Sequence, residues 1–381
     1  MEGELPYGSG EKKKLSIKWG EFGQELKRVS YIAAPMVAVA VLQYLVQVVT
    51  IVMGGHLGQT KLSAIAIATS LTNVCGFSLL SGLVGGLETL CGQAYGAQQY
   101  TKLDLYTYSG IFSLVLVCIP VCILCMFMEK LVVLTKQDPS VSFEAQEYAL
   151  WIIPALFGAA ISKPLVRYLQ AQSLTFPILL SSIIVLCCHV PMSWTFMYKL
   201  HLGSNGAAIA ICVSNWLYAV MLVLYIKLSP SCTNSRLKFS IDAFYGMGLF
   251  FRLAIPSAVM VCMKWWSMEV LILLSGLLPN PVLETSVFSI CLTISTLHFT
   301  LPYGLGAAAS TRISNELGAG EPEKARVVVW TIMFFVAVET ITISIALFSC
   351  RHILGRAFSS EEQVVDYIAA MSLLICVSTH N

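Results

Sequence analysis

From residue 29 onward, long apolar runs alternate with short polar breaks. Ten runs can be read, at roughly 29–53, 63–93, 105–128, 146–170, 176–198, 205–228, 248–278, 284–312, 325–350 and 364–378. The first, Ile32 to Met53, has 22 residues, enough to cross a bilayer core of about 30 Å at about 1.5 Å per helical residue. The breaks carry turn residues or charge: Gly54-Gly55-His56, Asp138-Pro139-Ser140, Leu202-Gly203-Ser204-Asn205 and Pro279-Asn280-Pro281. No period-2 alternation competes with this pattern, which predicts an all-α polytopic membrane protein.

The pattern repeats. Pro35 opens one run, and Tyr95-Gly96-Ala97 with Lys102 closes the next. Pro256 opens a second such pair, closed by Leu317-Gly318-Ala319 with Lys324. The prolines are 221 residues apart, and the Gly-Ala and Lys positions are 222 apart. An internal repeat of apolar hairpins is the mark of a secondary transporter built from two halves. The repeat divides the chain into a cytoplasmic tail (1–28), a six-helix lobe (29–228), a cytoplasmic linker (229–247) and a second lobe (248–381) holding helices seven to ten. A second half equal to the first would reach about residue 450, so ten of twelve spans are expected here and the tenth is cut short. Six spans per half give both lobes the same orientation, a parallel 6+6 repeat.

Composition agrees. The chain is 57% hydrophobic and 12% charged, against about 25% charged in ordinary soluble domains. The charges lie between apolar runs, which excludes a nucleic-acid-binding chain. Sixteen Lys and Arg fall on one side of the expected topology and six on the other. The positive-inside rule therefore puts the N-terminus in the cytoplasm. The 13 cysteines are scattered, mostly inside apolar runs. Cys118, Cys122 and Cys125 share a helix face with no His or carboxylate beside them, so they read as small buried residues rather than metal ligands. No Walker motif and no recognisable nucleophile set is present. The chain is read as a non-enzyme, without cofactor or metal.

A few polar residues interrupt the runs. Glu269 lies well inside an apolar span. A carboxylate there costs about 2.5–3.5 kcal/mol on insertion scales, so it faces a cavity or a partner and is the first candidate for a proton carrier. Lys264 lies five residues earlier, about 140° around the helix, so the two do not form an easy intrahelical pair. Lys264 selects anionic substrates, snorkels, or pairs with a carboxylate such as Glu339. Trp265, Trp266 and Tyr303 are suited to stacking on planar organic compounds or to packing. Gln43 and Asn73 are polar groups at depth, in a cavity or as helix–helix glue. Glu88, near the inner end of its span, reads as structural. His189 and His298 titrate in a useful range, but a lone His on an apolar helix more often packs. Pro35 and Pro256 bend or end helices.

These residues sit in stretches that resemble the plant branch of the multidrug and toxic compound extrusion (MATE) family. The stretches are Ala34-Pro35-Met36-Val37 with Gln43, Met53 to Gly58, Gly86 to Ala97, Arg167 to Gln172, Trp265 to Glu269, Leu274 to Pro281, and Pro302-Tyr303-Gly304 through Asn315 to Gly320. The resemblance implies two six-helix lobes around a V-shaped cavity. It implies an antiporter that exports xenobiotics or plant secondary metabolites in exchange for protons, as a monomer in the plasma or vacuolar membrane. Microbial relatives place an ion-binding Asp where Thr50 stands, and many eukaryotic ones place a Glu where Lys264 stands. A further family Glu is matched by Glu269, so the resemblance puts proton coupling there. Two alternatives accompany this reading: a transport-inactive truncated isoform or fragment, and a flippase of lipid-linked substrates with a similar fold.

Overall fold

The structure, a computed structural model, describes residues 19–134, 139–232, 241–275, 280–351, 353, 356 and 362–378. Among them there is no strand. The helices are α1 (Trp19–Gly55), α2 (Gln59–Thr72), α3 (Ser78–Gly96), α4 (Tyr100–Met126), α5 (Met128–Leu134), α6 (Pro139–Ala171), α7 (Thr175–Trp194), α8 (Gly203–Leu228), α9 (Met247–Ser275), α10 (Pro281–Gly318), α11 (Pro322–Ser349) and α12 (Glu362–Ser378). Each of the ten apolar runs falls on one of these helices, with α2 and α3 sharing one run through a π-helical turn at Asn73–Phe77. Eight stretches among the described residues are long and apolar enough to cross a membrane. The remaining two runs correspond to α10 and α12. The fold is all-α and polytopic.

Two elements depart from the pattern. α1 begins at Trp19, inside the segment expected to be a tail, because its polar first turns find a partner: Glu25 is buried against Arg312 of α10. α5 is a short helix after α4 that no long apolar run announces. It is held where the Gln146 side chain accepts from the Glu129 N–H at 2.8 Å. Within the expected linker, short 3-10 turns form at Pro230–Cys232 and Ile241–Phe244. The second turn docks on α4: Ser109 donates to the Ala243 carbonyl at 2.6 Å, and Phe244 stacks on Phe112 with ring centroids 4.7 Å apart.

The helices run on through their prolines. Pro35, Pro120, Pro154, Pro164, Pro191, Pro256 and Pro302 all lie inside helices. Each removes one backbone donor, a loss that neighbouring helices and local adjustment absorb in a membrane protein.

α3 is the centre of the bundle. It packs on α4 and α6 of its own half and on α9 and α10 of the other. Its small residues make this possible, since helices in lipid associate through close van der Waals contact rather than through the hydrophobic effect. A Cβ on Gly82 would stand 2.6 Å from the Ala258 Cα, and one on Gly86 would stand 2.9 Å from the Ala254 nitrogen. Further along, Gly92 faces Ser314, Gly96 faces the Asn315 backbone, and Gly318 faces the Gln93 backbone, each with no room for a Cβ. Gly96 and Gly318, equivalent in the repeat, thus sit against each other's helices. α1 meets α10 in the same way, with Gly304 against the Val37 backbone. These contacts run toward the ends of α3 and α10 that lie with Trp19 at one end of the bundle.

A branched residue in this seam forces backbone apart. Gly86→Val is expected to lower stability by about 1–3 kcal/mol, the usual cost of overpacking, as a drop in the thermal unfolding midpoint of the purified protein. Gly23→Ala, on α1 where nothing lies within 4 Å, is expected to leave the midpoint unchanged or raise it, since Ala is the better helix former by about 1 kcal/mol.

Candidate functional site

The residues at the junction of the two halves are ordered around one cation. Arg167, in the last turns of α6, is buried. Its Nη2 lies 2.7 Å from Oε1 of Glu88 on α3. Its Nη1 donates to Oε1 of Gln170 at 2.6 Å, and Nη2 also donates to the Tyr303 hydroxyl of α10 at 3.4 Å. Gln170 passes the network on, donating to the Ala307 carbonyl at 2.9 Å and to the Thr311 hydroxyl at 3.1 Å. Asn315 returns a bond from α10 to the Ala171 carbonyl at 2.9 Å. A second cation on α6, Lys163, donates to Ser81 of α3 at 2.7 Å. A further ion pair closes the same end: Arg312 of α10 holds Glu25 of α1 at 2.7 Å and also pairs with Glu316.

Of the predicted cavity residues, Tyr303 joins this junction through Arg167, while Gln43 of α1 is exposed. Tyr218 of α8 is buried, and its hydroxyl makes no hydrogen bond among the described residues. Trp266 of α9 donates its indole N–H to the Val74 carbonyl at 3.1 Å. That carbonyl lies in the π-helical turn that begins at Asn73, and it also accepts from Ser78 at 2.6 Å. A π-helical turn of this kind offers carbonyls to outside donors. Trp265, Trp266 and Tyr303 remain 42%, 46% and 42% exposed.

Lys264 is exposed, and its Nζ sits 2.8 Å from the centre of the Phe299 ring of α10. It is thus held by a cation–π contact rather than by Glu339, whose Oε1 instead faces Nδ1 of His298 at 3.5 Å. Phe299 also packs against Tyr303, with centroids 6.5 Å apart. Glu269 lies on α9 five residues beyond Lys264, but its side chain is outside the described ones. Pro35 and Pro256 are helix-internal, as noted. His189 is fully buried. Its Nδ1 meets Ser214 at 2.8 Å, while Nε2 meets Thr50 at 3.0 Å and Ser193 at 3.1 Å. Three hydroxyls and no charge surround it, which fits the packing role. Thr50 is the member of this cluster from α1.

The sequence pattern counted Lys163 and Arg312 only as charges on the positive side, and Arg167 as one of these and as the start of a family-like stretch with no role attached. The one local hint at Arg167 was the Gln three residues later, on the same helix face. Nothing in local spacing points to Glu88 or Glu25, whose partners come from distant helices.

Helices long and apolar enough to cross a membrane, packed around a buried polar network, make a polytopic membrane protein. The MatE family model matches residues 35–195 and 256–380, and the chain belongs to that family. It is similar to Protein DETOXIFICATION 3 of Arabidopsis thaliana, with 51% identity over 365 residues, 96% of this chain and 77% of the relative. It is equally similar to Protein DETOXIFICATION 14 of the same plant, 51% identical over 357 residues, 94% of this chain and 74% of the relative. Its structure superposes on the crystal structure of the eukaryotic MATE transporter AtDTX14 with a TM-score of 0.90, at 51% identity over 94% of this chain and 80% of that one.

The buried pair sets a test. Glu88→Ala leaves Arg167 without its counter-charge and is expected to cost about 3–5 kcal/mol. The double variant Glu88→Leu with Arg167→Met is expected to recover most of that loss. Thermal unfolding of both in detergent checks the order.

Proposed function

We propose that the chain exports small organic compounds in exchange for protons, with its N-terminus in the cytoplasm and its two lobes parting around a central cavity. The lobes are those over 29–228 and 248–381. The observation that carries this reading is the state of Trp266 and Tyr303. Each bonds across to the first half, yet each stays nearly half exposed. Side chains that bridge the two halves and are not covered by the described helices are available to a space between them. Aromatic faces at such a space suit planar organic substrates, and Lys264 on the Phe299 ring adds a cation beside them.

The closed end supports a defined stage of the cycle. The glycine contacts, Arg167 with Tyr303, and Arg312 with Glu25 all join the halves at the end carrying Trp19. With that end cytoplasmic, the cavity opens away from the cytoplasm. In a two-state exporter a proton bound in the second half lowers the affinity for substrate and is carried back on return. Glu269 is the residue to which this reading gives the proton, since an ionisable group inside a span is by default a functional one. The names of the relatives, with the word detoxification, support an organic cargo. The chain acts as a monomer in this reading, in the plasma or vacuolar membrane.

The test is flux. Proteoliposomes holding the 381-residue chain and loaded with ethidium are given a pH gradient. Wild type is expected to move the dye and Glu269→Gln to abolish the pH-driven component; unchanged flux in Glu269→Gln would overturn the coupling role. Lys264→Glu is expected to shift preference from an anionic dye toward a cationic one, and identical preference would remove Lys264 from substrate selection.

A further inference from the structure

We propose that His298 of α10 and Glu339 of α11 together form a proton-binding site. As a source of transport energy this site rests on the proton-coupled reading above; as a place where a proton binds it does not.

The two groups are brought together by helix packing, not by sequence proximity. Their side chains are only 7% and 13% exposed. Nδ1 of His298 and Oε1 of Glu339 stand 3.5 Å apart, and at that separation neither atom makes a hydrogen bond. The other carboxylate oxygen of Glu339 accepts from the Thr340 hydroxyl at 3.4 Å, which leaves Oε1 directed to the imidazole alone. Glu339 lies 17 residues into the 28-residue α11, about 25 Å from its start and about 15 Å from its end.

Two unbonded polar atoms facing each other inside an apolar bundle are an incomplete arrangement, and one proton completes it. Without the proton the pair is a neutral imidazole beside a carboxylate, with net charge −1. Uptake of one proton places a hydrogen between Nδ1 and Oε1, as imidazolium with carboxylate or as imidazole with carboxylic acid. Either form has zero net charge and a charge-assisted or strong neutral hydrogen bond. A low-dielectric surrounding disfavours the net charge and favours the protonated pair; water reaching the pair reverses the preference. The site therefore binds when sealed and releases when opened.

Among the described residues neither group has another ion-pair partner. On α9, Arg252 lies in the first turns, Lys264 is on the Phe299 ring, and Glu269 has no described side chain. On α12, Glu362 and Asp366 are exposed and Tyr367 donates to Glu284 of α10 at 2.6 Å. On α1, Glu25 holds Arg312, and no charged residue lies between Arg28 and Gly55. On α3 and α6, Glu88 and Arg167 hold each other and Lys163 holds Ser81. On α10 itself Glu316 holds Arg312. On α11 itself Glu323, Lys324 and Arg326 lie in the first turns, where Arg326 pairs with Glu323 and Lys324 with Glu321.

The position gives the site a route to the junction. Phe299, next to His298, carries Lys264 on its face and packs on Tyr303. Tyr303 accepts from Arg167. A change in the hydrogen bonding of His298 therefore acts about one turn from Tyr303, the residue of α10 that touches the other half.

The experiment reads the imidazole itself. The 381-residue chain is labelled with nitrogen-15 histidine and embedded in nanodiscs. Its six histidines are resolved by NMR, and the signal lost in His298→Gln is His298. Titration between about pH 5 and 8 is expected to show His298 passing from neutral to protonated in wild type. In Glu339→Gln the proton is expected to bind about tenfold more weakly or worse, the effect of a lost charged partner. A His298 that stays neutral across the range in wild type, or one that titrates identically in Glu339→Gln, overturns the site. If Glu339→Gln does not fold, the wild-type titration decides alone. Flux separates the two readings: a titrating pair in a protein with no pH-driven dye movement keeps this site and rejects proton-coupled export.

Discussion

A guanidinium cannot be left bare among membrane helices. Arg167 is buried, always charged, and costs several kcal/mol to desolvate unless its donors are filled. The structure fills them from three helices at once: Glu88 of α3 supplies the counter-charge, Gln170 of α6 an acceptor, and Tyr303 of α10 a hydroxyl. Because α10 belongs to the other half, the interaction that satisfies one charge also joins the halves. Gln170 extends the joint to Thr311 and the Ala307 carbonyl, so α6 and α10 are tied along two turns. The position of Tyr303, and through it of Phe299 and Lys264, follows from where Arg167 must find its donors.

That joint requires close helices. Glycine on both sides of the seam lets the α3 backbone approach α9 and α10 to distances no side chain allows. Around the glycines the same seam buries apolar side chains, with Leu83 and Leu87 of α3, Phe250 of α9 and Leu305 of α10 in one cluster. Burial there contributes about 25 cal/mol per Å² of apolar surface, and the polar bonds at one end set the register.

The sequence was most readable where physics is local. Each of the ten apolar runs is helical in the structure, one of them divided between α2 and α3, because lipid demands about twenty apolar residues for each crossing. The 222-residue spacing of Gly96 and Gly318 was legible too, and the structure places those two glycines on opposite sides of one seam. Pairing was not legible. Glu25 looked like part of a tail, and only the approach of Arg312, 287 residues away, draws it into a helix. Lys264 offered several partners on paper; the actual one is an aromatic face, set by how α9 crosses α10. His298 resembled a lone packing histidine because Glu339 lies on the next helix. His189 resembled it equally, and there the surroundings are hydroxyls alone. Only tertiary packing separates the two.

The halves meet through the α3–α10 seam, and the proposed export cycle requires them to part there. Hydrogen–deuterium exchange on the full chain in nanodiscs tests it, with peptides covering residues 90–100 and 312–321 followed at pH 5 and pH 8. The account predicts that both segments are protected together in one condition and lose protection together in the other. Protection that is the same at both pH values, or lost in one segment while the other is unchanged, would contradict it.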